Sequence, residues 1–412
     1  MSISAGDQLQ EQAQTAMFVW QMSTMGDPYA QILLRQVNPY RFYEKARELG
    51  PIHHSRVGPW VTPDYAVARS ILRDQRFGVR RADGARDFAQ FTSMDDSFLK
   101  LDPPDHTRLR RMVTPFFGAR RFNAQRPRIE ALCHELLDAV DTTAPFDLMS
   151  VFVKPLMNTL VRDVFRVPEQ LAERFDRNCT TTGRVFEGFA SPEQYEELEI
   201  AVADLRAVLV ELLELRSTEP GDDVVSDLLA AHRSGNLSLD EAVGVCGLLS
   251  IAGTESTSHL IGNGTLALLE NRDQWNLLRE NPELAPKAVE ETLRYDPPNQ
   301  LISRVAHVDV ELAGQTIEAD STVIVLTGGA NRDPAVYQDP ARFDITRESG
   351  PESLTFSAGI HFCLGAALAR NAADVALRVL TDRMPDLHRA GPEKRRRASS
   401  IRGMQSFPVA VG

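Results

Sequence analysis

Apolar side chains recur at helical spacing along most of this chain. The pattern predicts helices over 39–49, 105–117, 126–140, 151–165, 169–177, 193–216, 222–233, 238–270, 273–279, 283–295 and 365–383. Strand patterns are confined to 57–63 and 308–327, where Ala313-Gly314 and Ala319-Asp320 predict turns. The sequence therefore predicts a mainly α fold with a small β-sheet region.

The segment 238–270 is the longest of the predicted helices. Ser238 and Glu241 form the S-x-x-E pattern of a capping box at its start. About 32 residues at about 1.5 Å each give a length of roughly 48 Å. Most of its faces are apolar, so we expect this helix to run through the interior. The sequence has no long linker or repeat, which predicts a single domain over 1–412 with an N-terminal extension over about 1–37.

Charge and hydropathy exclude several classes of function. The formal net charge is −12 and the isoelectric point is near 5.3, which argues against a general nucleic-acid binder. No apolar run approaches the roughly 20 residues needed to span a bilayer. The N-terminus lacks a basic region followed by an apolar core, so the sequence does not predict a secretion signal. We expect a cytoplasmic protein without membrane or nucleic-acid partners.

Candidate chemistry centres on one of four scattered cysteines. Cys133, Cys179 and Cys246 have the surroundings of small buried hydrophobic residues, and no C-x-x-C pair predicts a zinc site. Cys363 differs, because it precedes a strong helix pattern in "SLTFSAGIHFCLGAALAR" (353–370). A helix N-terminus lowers a thiol pKa, and a thiolate ligates metal. This segment suits a thiolate bound to haem iron; the alternative is a buried cysteine near a tight turn.

The segment "FSAGIHFCLG" (356–365) resembles the haem-binding loop F-x-x-G-x-[HR]-x-C-x-G of the cytochrome P450 family. Phe356, Gly359, His361, Cys363 and Gly365 fill its fixed positions. The resemblance implies the cytochrome P450 fold, a haem b cofactor, and a haem-binding loop over 353–365. It also implies that Cys363 is the axial ligand, that Phe356 packs on the sulfur side, and that His361 approaches a propionate. Ser357 stands where the family usually has glycine.

A second motif of the same family is "EETLRY" (290–295), which is followed downstream by "PARF" (340–343). Glu291 and Arg294 lie three residues apart, where they can pair on one helical face. Taken alone, such a pair is an exposed contact worth under about 0.5 kcal/mol. The resemblance implies instead a buried structural network of Glu291, Arg294 and Arg342 that braces the haem loop.

Candidate propionate ligands occur in two segments. His106 and Arg110 lie four residues apart in "DHTRLRRMV" (105–113), and Arg304 lies in "ISRVAHVDVEL" (302–312). Cationic and N–H donors suit anionic propionates. The resemblance implies that all three bind haem propionates, whereas each arginine taken singly is more often a solvated surface charge.

The long helix contains the polar segment "IAGTESTS" (251–258). Glycine, an acid and several hydroxyls are costly inside an apolar helix. A hydroxyl can bond the carbonyl four residues earlier and open the helix there, which on its own predicts a packing kink. Ala252, Gly253 and Glu255 resemble the family's oxygen-binding groove, with Ser256 in place of its usual threonine. The resemblance implies groove lining by Ala252 and Gly253, and a catalytic proton relay of Glu255 and Ser256 in which Thr257 can share.

Haem-thiolate monooxygenation is the activity that the resemblance implies. One atom of dioxygen enters a C–H bond, and electrons come from a separate ferredoxin and ferredoxin reductase. The densest basic stretch is a candidate ferredoxin surface, although ordinary solvated charges explain it equally well; it comprises Arg108, Arg110, Arg111, Arg120, Arg121, Arg126 and Arg128. The alternatives are a hydrogen-peroxide-dependent peroxygenase and a non-catalytic haem protein, either a gas sensor or a carrier-recruitment domain.

Substrate selectivity in this family lies in the segments near 77–97 and 175–205 and in the one after E-x-x-R. In the last, "NQLI" predicts substrate contacts by Asn299, Gln300, Leu301 and Ile302. Arg80, Arg81 and Arg86 can meet a carboxylate or a carrier phosphate, or belong to a surface loop. Soluble bacterial relatives often tailor polyketides, macrolides or peptides. We therefore expect a natural-product oxidase, whose substrate is either free or presented by a carrier protein.

Overall fold

The computed structural model of the protein describes residues 5–34, 38–82, 97–184, 191–348, 350–396 and 400–412. Most of them are helical. The helices are α1 (Ala5–Thr24), α2 (Pro28–Leu33), α3 (Tyr40–Glu48), α4 (Tyr65–Arg73), α5 (Asp105–Val113), α6 (Ala119–Ala124), α7 (Arg126–Asp138), α8 (Lys154–Phe165), α9 (Glu169–Gly183), α10 (Pro192–Thr218), α11 (Val224–Arg233), α12 (Leu239–Glu270), α13 (Arg272–Glu280), α14 (Ala285–Tyr295), α15 (Thr327–Ala330) and α16 (Ala366–Arg383).

The strands are short and form small sheets. They are β1 (His53–His54), β2 (Trp60–Thr62), β3 (Phe77–Gly78), β4 (Phe146–Asp147), β5 (Ile302–Ala306), β6 (Val310–Leu312), β7 (Gln315–Ile317), β8 (Thr322–Val325), β9 (Leu387–Arg389), β10 (Lys394–Arg395), β11 (Met404–Ser406) and β12 (Pro408–Val411). The largest sheet has the order β1-β2-β8-β5-β3, with β2 and β8 parallel and its other pairs antiparallel. The mainly α fold with a small sheet region is confirmed.

Helix α12 lies between two hydrophobic cores. Its capping box is formed, because Glu241 N–H donates to Ser238 Oγ at 3.1 Å and Ser238 N–H donates to Glu241 Oε2 at 2.8 Å. Its N-terminal half packs with α9, α10 and α11, and its C-terminal half packs with α8, α14 and α16. The predicted interior helix is therefore confirmed, with its central turns at the junction of the two cores.

The structure adds elements that the hydrophobic pattern missed. Helices α1 and α2 occupy most of the predicted N-terminal extension, and α4 begins after Asp64, whose carboxylate caps it. Strands β9 to β12 have two to four residues, too few to show a periodicity, and β12 pairs with β4 across more than 250 residues of chain. The turns predicted at Ala313-Gly314 and at Asp320 are present, with positive φ at all three residues. In the described part of the chain, none of the helices has the length and apolar character that crossing a membrane requires.

Candidate active site

The loop before α16 holds Cys363 in a closed turn. The Cys363 N–H donates to the Phe356 carbonyl at 2.8 Å. Gly359 has φ of +67°, and a Cβ there would lie 2.6 Å from the Leu72 carbonyl oxygen of α4. The need for glycine at 359 thus comes from α4, whereas a Cβ on Gly365 would meet nothing within 4 Å. Of the two glycines, only Gly365 has open space beside it in which a flat ligand could approach the backbone.

Two opposing influences act on the Cys363 thiol. Burial raises its pKa, while the N–H groups of Gly365 and Ala366 and the nearby Arg110 and Arg370 lower it. The predicted influence of the helix N-terminus is therefore present, but burial outweighs it when no ligand shares the charge. Cys133, Cys179 and Cys246 are buried in apolar cores, and their pKa values rise to about 12. Cys363 alone among these cysteines has cations and helix N–H groups around its sulfur.

Donor side chains from three distant segments meet beside this loop. The His106 and His361 ring centroids lie 4.5 Å apart. Arg304 is 5% exposed, and among the described residues its donors bond to two uncharged groups, the Ser303 carbonyl at 2.8 Å and the Ser357 hydroxyl at 3.2 Å. Arg110 donates to the Phe362 carbonyl beside the thiol. The structure thus brings together the candidate propionate ligands that lie far apart in the sequence.

No described carboxylate forms an ion pair with this group of donors. The carboxylate of Asp102 opposes the effect of burial on the pKa values of Arg304 and His106, but it makes no ion pair with either. Burial and the neighbouring Arg304, His106 and Arg110 lower the pKa of His361 to about 2, and burial lowers that of Arg304 to about 10. The His361 Nε2 atom is buried without a hydrogen-bond partner among the described residues. Unpaired buried charges and donors are costly, so a site of this kind fits a bound anion. The two carboxylates of a haem beside a thiol match this donor set.

Ser357 carries the backbone conformation that usually belongs to glycine. Its φ is +62° and its ψ is −166°, a region that side chains with a Cβ rarely enter. Its hydroxyl accepts a hydrogen bond from Arg304 at 3.2 Å. Serine in place of the family's glycine at 357 therefore adds backbone strain, and it also adds a hydrogen bond with Arg304.

Replacing Ser357 with glycine and with alanine separates strain from hydrogen bonding. Both variants lose the hydroxyl, but only glycine relaxes the backbone. We therefore expect the glycine variant to be more stable than the alanine variant by about 1–3 kcal/mol. The measurement is urea unfolding of the two variants. Equal stability, or a more stable alanine variant, would contradict the strain at Ser357.

The E-x-x-R pair is buried and forms the centre of a network. Glu291 and Arg294 are 5% and 3% exposed, and Arg294 Nε and Nη2 donate to the Glu291 carboxylate at 2.7 and 2.8 Å. The predicted third member was wrong: the Arg342 side chain is 65% exposed and lies 3.8 Å from Asp344. Arg347 Nε contacts Glu291 at 3.2 Å instead, while Arg342 contributes its carbonyl to Arg294 at 3.0 Å. The side chain of Arg342 points to solvent, and Arg347, five residues later in the chain, reaches Glu291 in its place.

Hydrogen bonds connect this network to the cysteine loop. The Thr355 hydroxyl donates to the Leu293 carbonyl at 2.6 Å and accepts from Asn331 Nδ2 at 2.9 Å. Asn331 Oδ1 accepts from the Leu354 N–H at 2.8 Å. The predicted brace is thus present, and it acts through Asn331 and Thr355, which the sequence analysis did not single out.

The polar segment of α12 shows the predicted back-bonding without the predicted opening. Ser256 Oγ donates to the Ala252 carbonyl at 2.9 Å, and Thr254 and Ser258 bond in the same way to carbonyls four residues earlier. Helix α12 nevertheless continues unbroken through these residues. The predicted opening of the helix is therefore absent, while the packing kink stays a prediction. Gly253 faces α8, where a Cβ would lie 3.1 Å from Val161.

Ala252 is exposed although its helix runs through the interior, and Ser256 is partly exposed. Both therefore face open space inside the protein, whereas Thr257 is buried. Glu255 forms an ion pair with Arg396. Arg396 was missed because 141 residues separate it from Glu255; its only signal was the basic run "KRRR" at 394–397.

The predicted substrate residues divide into two groups. Gln300 is buried with both amide groups engaged, since its Oε1 accepts from Tyr43 Oη at 2.6 Å and its Nε2 donates to the Pro297 carbonyl at 2.6 Å. A role for Gln300 in binding substrate was therefore wrong, because its side chain is only 1% exposed and both amide groups are engaged inside the protein. Asn299, Leu301 and Ile302 are partly exposed.

The arginine-rich loop ahead of α5 is described only in part. Arg80 donates to the Lys100 carbonyl at 2.7 Å and Arg81 to the Thr322 hydroxyl at 3.2 Å. Arg86 lies outside the described residues.

A surface groove of about 540 Å³ opens on the cysteine loop. Its lining includes Arg110, Asn123, Phe362, Cys363 and Arg370. Five of the seven arginines in the candidate ferredoxin surface already make contacts within the protein. Arg110 bonds the cysteine loop, and Arg108, Arg121, Arg126 and Arg128 pair with carboxylates. Arg111 and Arg120 are exposed and make no ion pair with another described residue.

Comparison with known proteins agrees with this geometry. The family described as Cytochrome P450 matches residues 30–381. The 6-deoxyerythronolide B hydroxylase of Saccharopolyspora erythraea is 35% identical, over 91% of this chain and 96% of its own. Nocardicin C N-oxygenase of Nocardia uniformis subsp. tsuyamanensis is 36% identical, over 85% of this chain and 89% of its own.

A solved structure of P450BioI in complex with hexadec-9Z-enoic acid ligated acyl carrier protein is 33% identical to this chain, with a TM-score of 0.83. The match covers 91% of this chain and 99% of that one. Sequence, fold and the arrangement around Cys363 agree, and membership implies a haem–iron cofactor. The chain therefore belongs to the cytochrome P450 family and is a cytochrome P450 monooxygenase.

Proposed function

We propose that this monooxygenase holds haem b through Cys363 and oxygenates a C–H bond of a polyketide, macrolide or peptide natural product. The observation that carries the proposal is a group of donors beside Cys363, of which none forms an ion pair with a described carboxylate: the buried His106 and Arg304 and the partly buried Arg110 and His361. Bound haem supplies the iron centre at which dioxygen is reduced. The chain supplies the ligand, the charge balance and the protons.

Each candidate residue has a defined task in this proposal. The propionates are bound by His106, Arg110, Arg304 and His361. The loop around the thiolate is shaped by Phe356, Gly359 and Gly365. The Ala252 side chain and the Gly253 backbone line the oxygen side, where Glu255 and Ser256 deliver protons. Glu291, Arg294 and Arg347 hold the loop in place. Asn299, Leu301 and Ile302 contact the substrate.

The substrate class is supported by relatives and by the partly exposed residues. The 6-deoxyerythronolide B hydroxylase and nocardicin C N-oxygenase are named for natural products. Asn299 offers an amide among the apolar Leu301 and Ile302, which suits a largely apolar molecule with a polar group. A carrier-bound substrate is supported by the acyl carrier protein complex of P450BioI. Arg80 and Arg81 would then meet the phosphate of the carrier arm, and Arg86 belongs to the same proposal.

The test uses the wild-type, haem-loaded protein. Reduction under carbon monoxide is expected to give the strongly red-shifted absorption band of thiolate-bound haem. A panel of polyketides, macrolides and peptides is then screened for a haem spin-state shift. With NADPH and a surrogate ferredoxin and reductase, a binding compound should gain one oxygen atom. Product from hydrogen peroxide alone would support the peroxygenase, and tight binding without turnover would support a recruitment domain.

A ferredoxin is the electron donor in this proposal, and it binds at the groove beside Cys363. Arg111 and Arg120 are the sequence neighbours of Arg110 and Ala119, which line that groove. Being exposed and without ion pairs to described residues, they can meet an acidic partner without breaking internal contacts.

Charge reversal at Arg111 and Arg120 is expected to slow electron transfer by about tenfold or more at low salt, because the partner's carboxylates are then repelled. The measurement is the rate of haem reduction by a reduced ferredoxin at several salt concentrations. The matched control is Arg177→Glu, which reverses an exposed arginine on α9. Equal rates and equal salt dependence in all variants would contradict this docking surface.

A further inference from the structure

A buried ion-pair cluster connects α12 with α9 and with the C-terminal part of the chain. Arg396 Nη1 contacts the Glu255 carboxylate and lies 3.1 Å from His259 Nε2. Arg396 Nη2 donates to the Gly183 carbonyl, in the last turn of α9, at 3.2 Å. The side chains of Arg396, Glu255 and His259 are 5%, 12% and 3% exposed. One guanidinium thus connects three elements of the fold beneath the surface.

Two glycines make room for this cluster. A Cβ on Gly183 would lie 2.7 Å from Glu255 Cγ, and a Cβ on Gly403 would lie 2.1 Å from the His259 ring. Neither glycine has a positive φ, so their backbone conformations suit any residue. The need for glycine is steric at both positions, and it exists only while Glu255 and His259 keep these places.

The geometry also fixes the hydrogen-bonding role of His259. Its Nε2 faces a guanidinium N–H at 3.1 Å, so this nitrogen accepts, and the ring is neutral with its proton on Nδ1. His259 Nε2 lies 3.5 Å from the Glu255 carboxylate. Arg396 therefore donates to both groups, which lie next to each other.

We propose that Arg396 is a positioning residue for proton delivery, which keeps Glu255 available to Ser256 and couples that carboxylate to α9. This inference rests on the proposed function, in which Glu255 and Ser256 form the relay. Without the guanidinium, His259 would take a proton and pair with Glu255, directing the carboxylate away from Ser256. Movement of the α9 C-terminus would act on Glu255 through the bond from Arg396 to Gly183.

The main alternative is that Arg396 is only a brace for α9. A matched control exists, because Arg216 is also a buried arginine in an ion pair. It donates to Asp223 at 2.6 Å and to the Arg166 carbonyl at 2.8 Å, and its side chain is 8% exposed. Arg216 connects α10 to the end of α8 and contacts no residue of the relay segment. Its loss should cost similar stability without affecting proton delivery.

The experiment compares Arg396→Gln, Arg396→Lys and Arg216→Gln in the haem-loaded protein. With NADPH, a surrogate ferredoxin and reductase, and a compound that shifts the spin state, it measures hydrogen peroxide released per NADPH. We expect Arg396→Gln to lower the product yield by about tenfold or more and to release peroxide instead, since a misplaced acid slows proton transfer. Arg396→Lys should recover part of the yield, and Arg216→Gln should stay within about twofold of the wild type.

A second variant keeps the test valid if Arg396→Gln does not retain haem. Gly183→Ala displaces the Glu255 side chain while leaving Arg396 intact, and it should release peroxide in the same way. If neither variant released more peroxide than Arg216→Gln while the wild type made product, the inference would be overturned and the proposed function would stand. A wild type that makes no product would instead defeat the proposed function itself.

Discussion

Replacing Cys363 with serine is expected to abolish both the red-shifted carbon monoxide band and the oxygenated product. Serine keeps the size of the side chain, but its hydroxyl does not ionise as a thiol does and is a poor ligand for iron. The hydrogen bond from the Cys363 N–H to the Phe356 carbonyl does not depend on the side chain at 363, so the loop should remain closed. The measurements are the spectrum of the reduced protein under carbon monoxide and the product yield with surrogate redox partners.

The control for this variant is Cys133→Ser, which changes a fully buried thiol in the core formed by α7, α8 and α16. A buried hydroxyl without a partner costs about 1–3 kcal/mol, so this control should lose stability and keep the band. If Cys363→Ser kept the band, or if the two variants lost it alike, Cys363 would not be the ligand.

Replacing Glu291 with glutamine is the prediction with the largest expected effect on stability. Arg294 and Arg347 both contact this carboxylate. The glutamine variant therefore leaves two cations next to a neutral amide. Breaking a buried pair in this way costs about 3–5 kcal/mol. Urea unfolding of the haem-loaded protein is the measurement, together with the fraction of purified protein that retains haem.

The neighbouring Glu290 provides a matched control on the same helix. It pairs with Arg370 at 2.6 Å, but its side chain is 45% exposed. An exposed pair is worth about 0–1 kcal/mol, so Glu290→Gln should be nearly neutral. A loss at Glu291 no larger than the loss at Glu290 would show that the buried network does not support the cysteine loop.

The sequence predicted the parts of this site that depend on local spacing. The capping box of Ser238 and Glu241, the back-bond from Ser256 to Ala252 and the pair of Glu291 and Arg294 all join residues three or four positions apart. Such contacts follow from helical geometry, and a sequence displays them directly. The main helices were predicted for the same reason.

Proximity between distant segments was predicted only where motifs of the family assign their residues to the same ligand. His106 and His361 belong to separate motifs that both imply propionate binding, and their rings lie 4.5 Å apart. Arg342 was expected in the network because it belongs to the motif, but Arg347 contacts Glu291 instead. The direction of a side chain in a loop depends on turns that spacing does not encode. Arg396 belongs to no motif, and its contact with Glu255 depends on where β10 leads the chain.

The bonds between α14 and the cysteine loop bear on how this part of the protein unfolds. Thr355 bonds Leu293 of α14 directly, and Leu354 bonds Asn331, whose amide also donates to the Leu293 carbonyl; all four residues are buried. Opening of the loop alone would leave these groups unpaired away from water, which is more costly than releasing the loop and helix together. The thiol segment and α14 should therefore form one cooperative unit. Its free energy of local unfolding should be close to that of the core rather than to that of a surface loop.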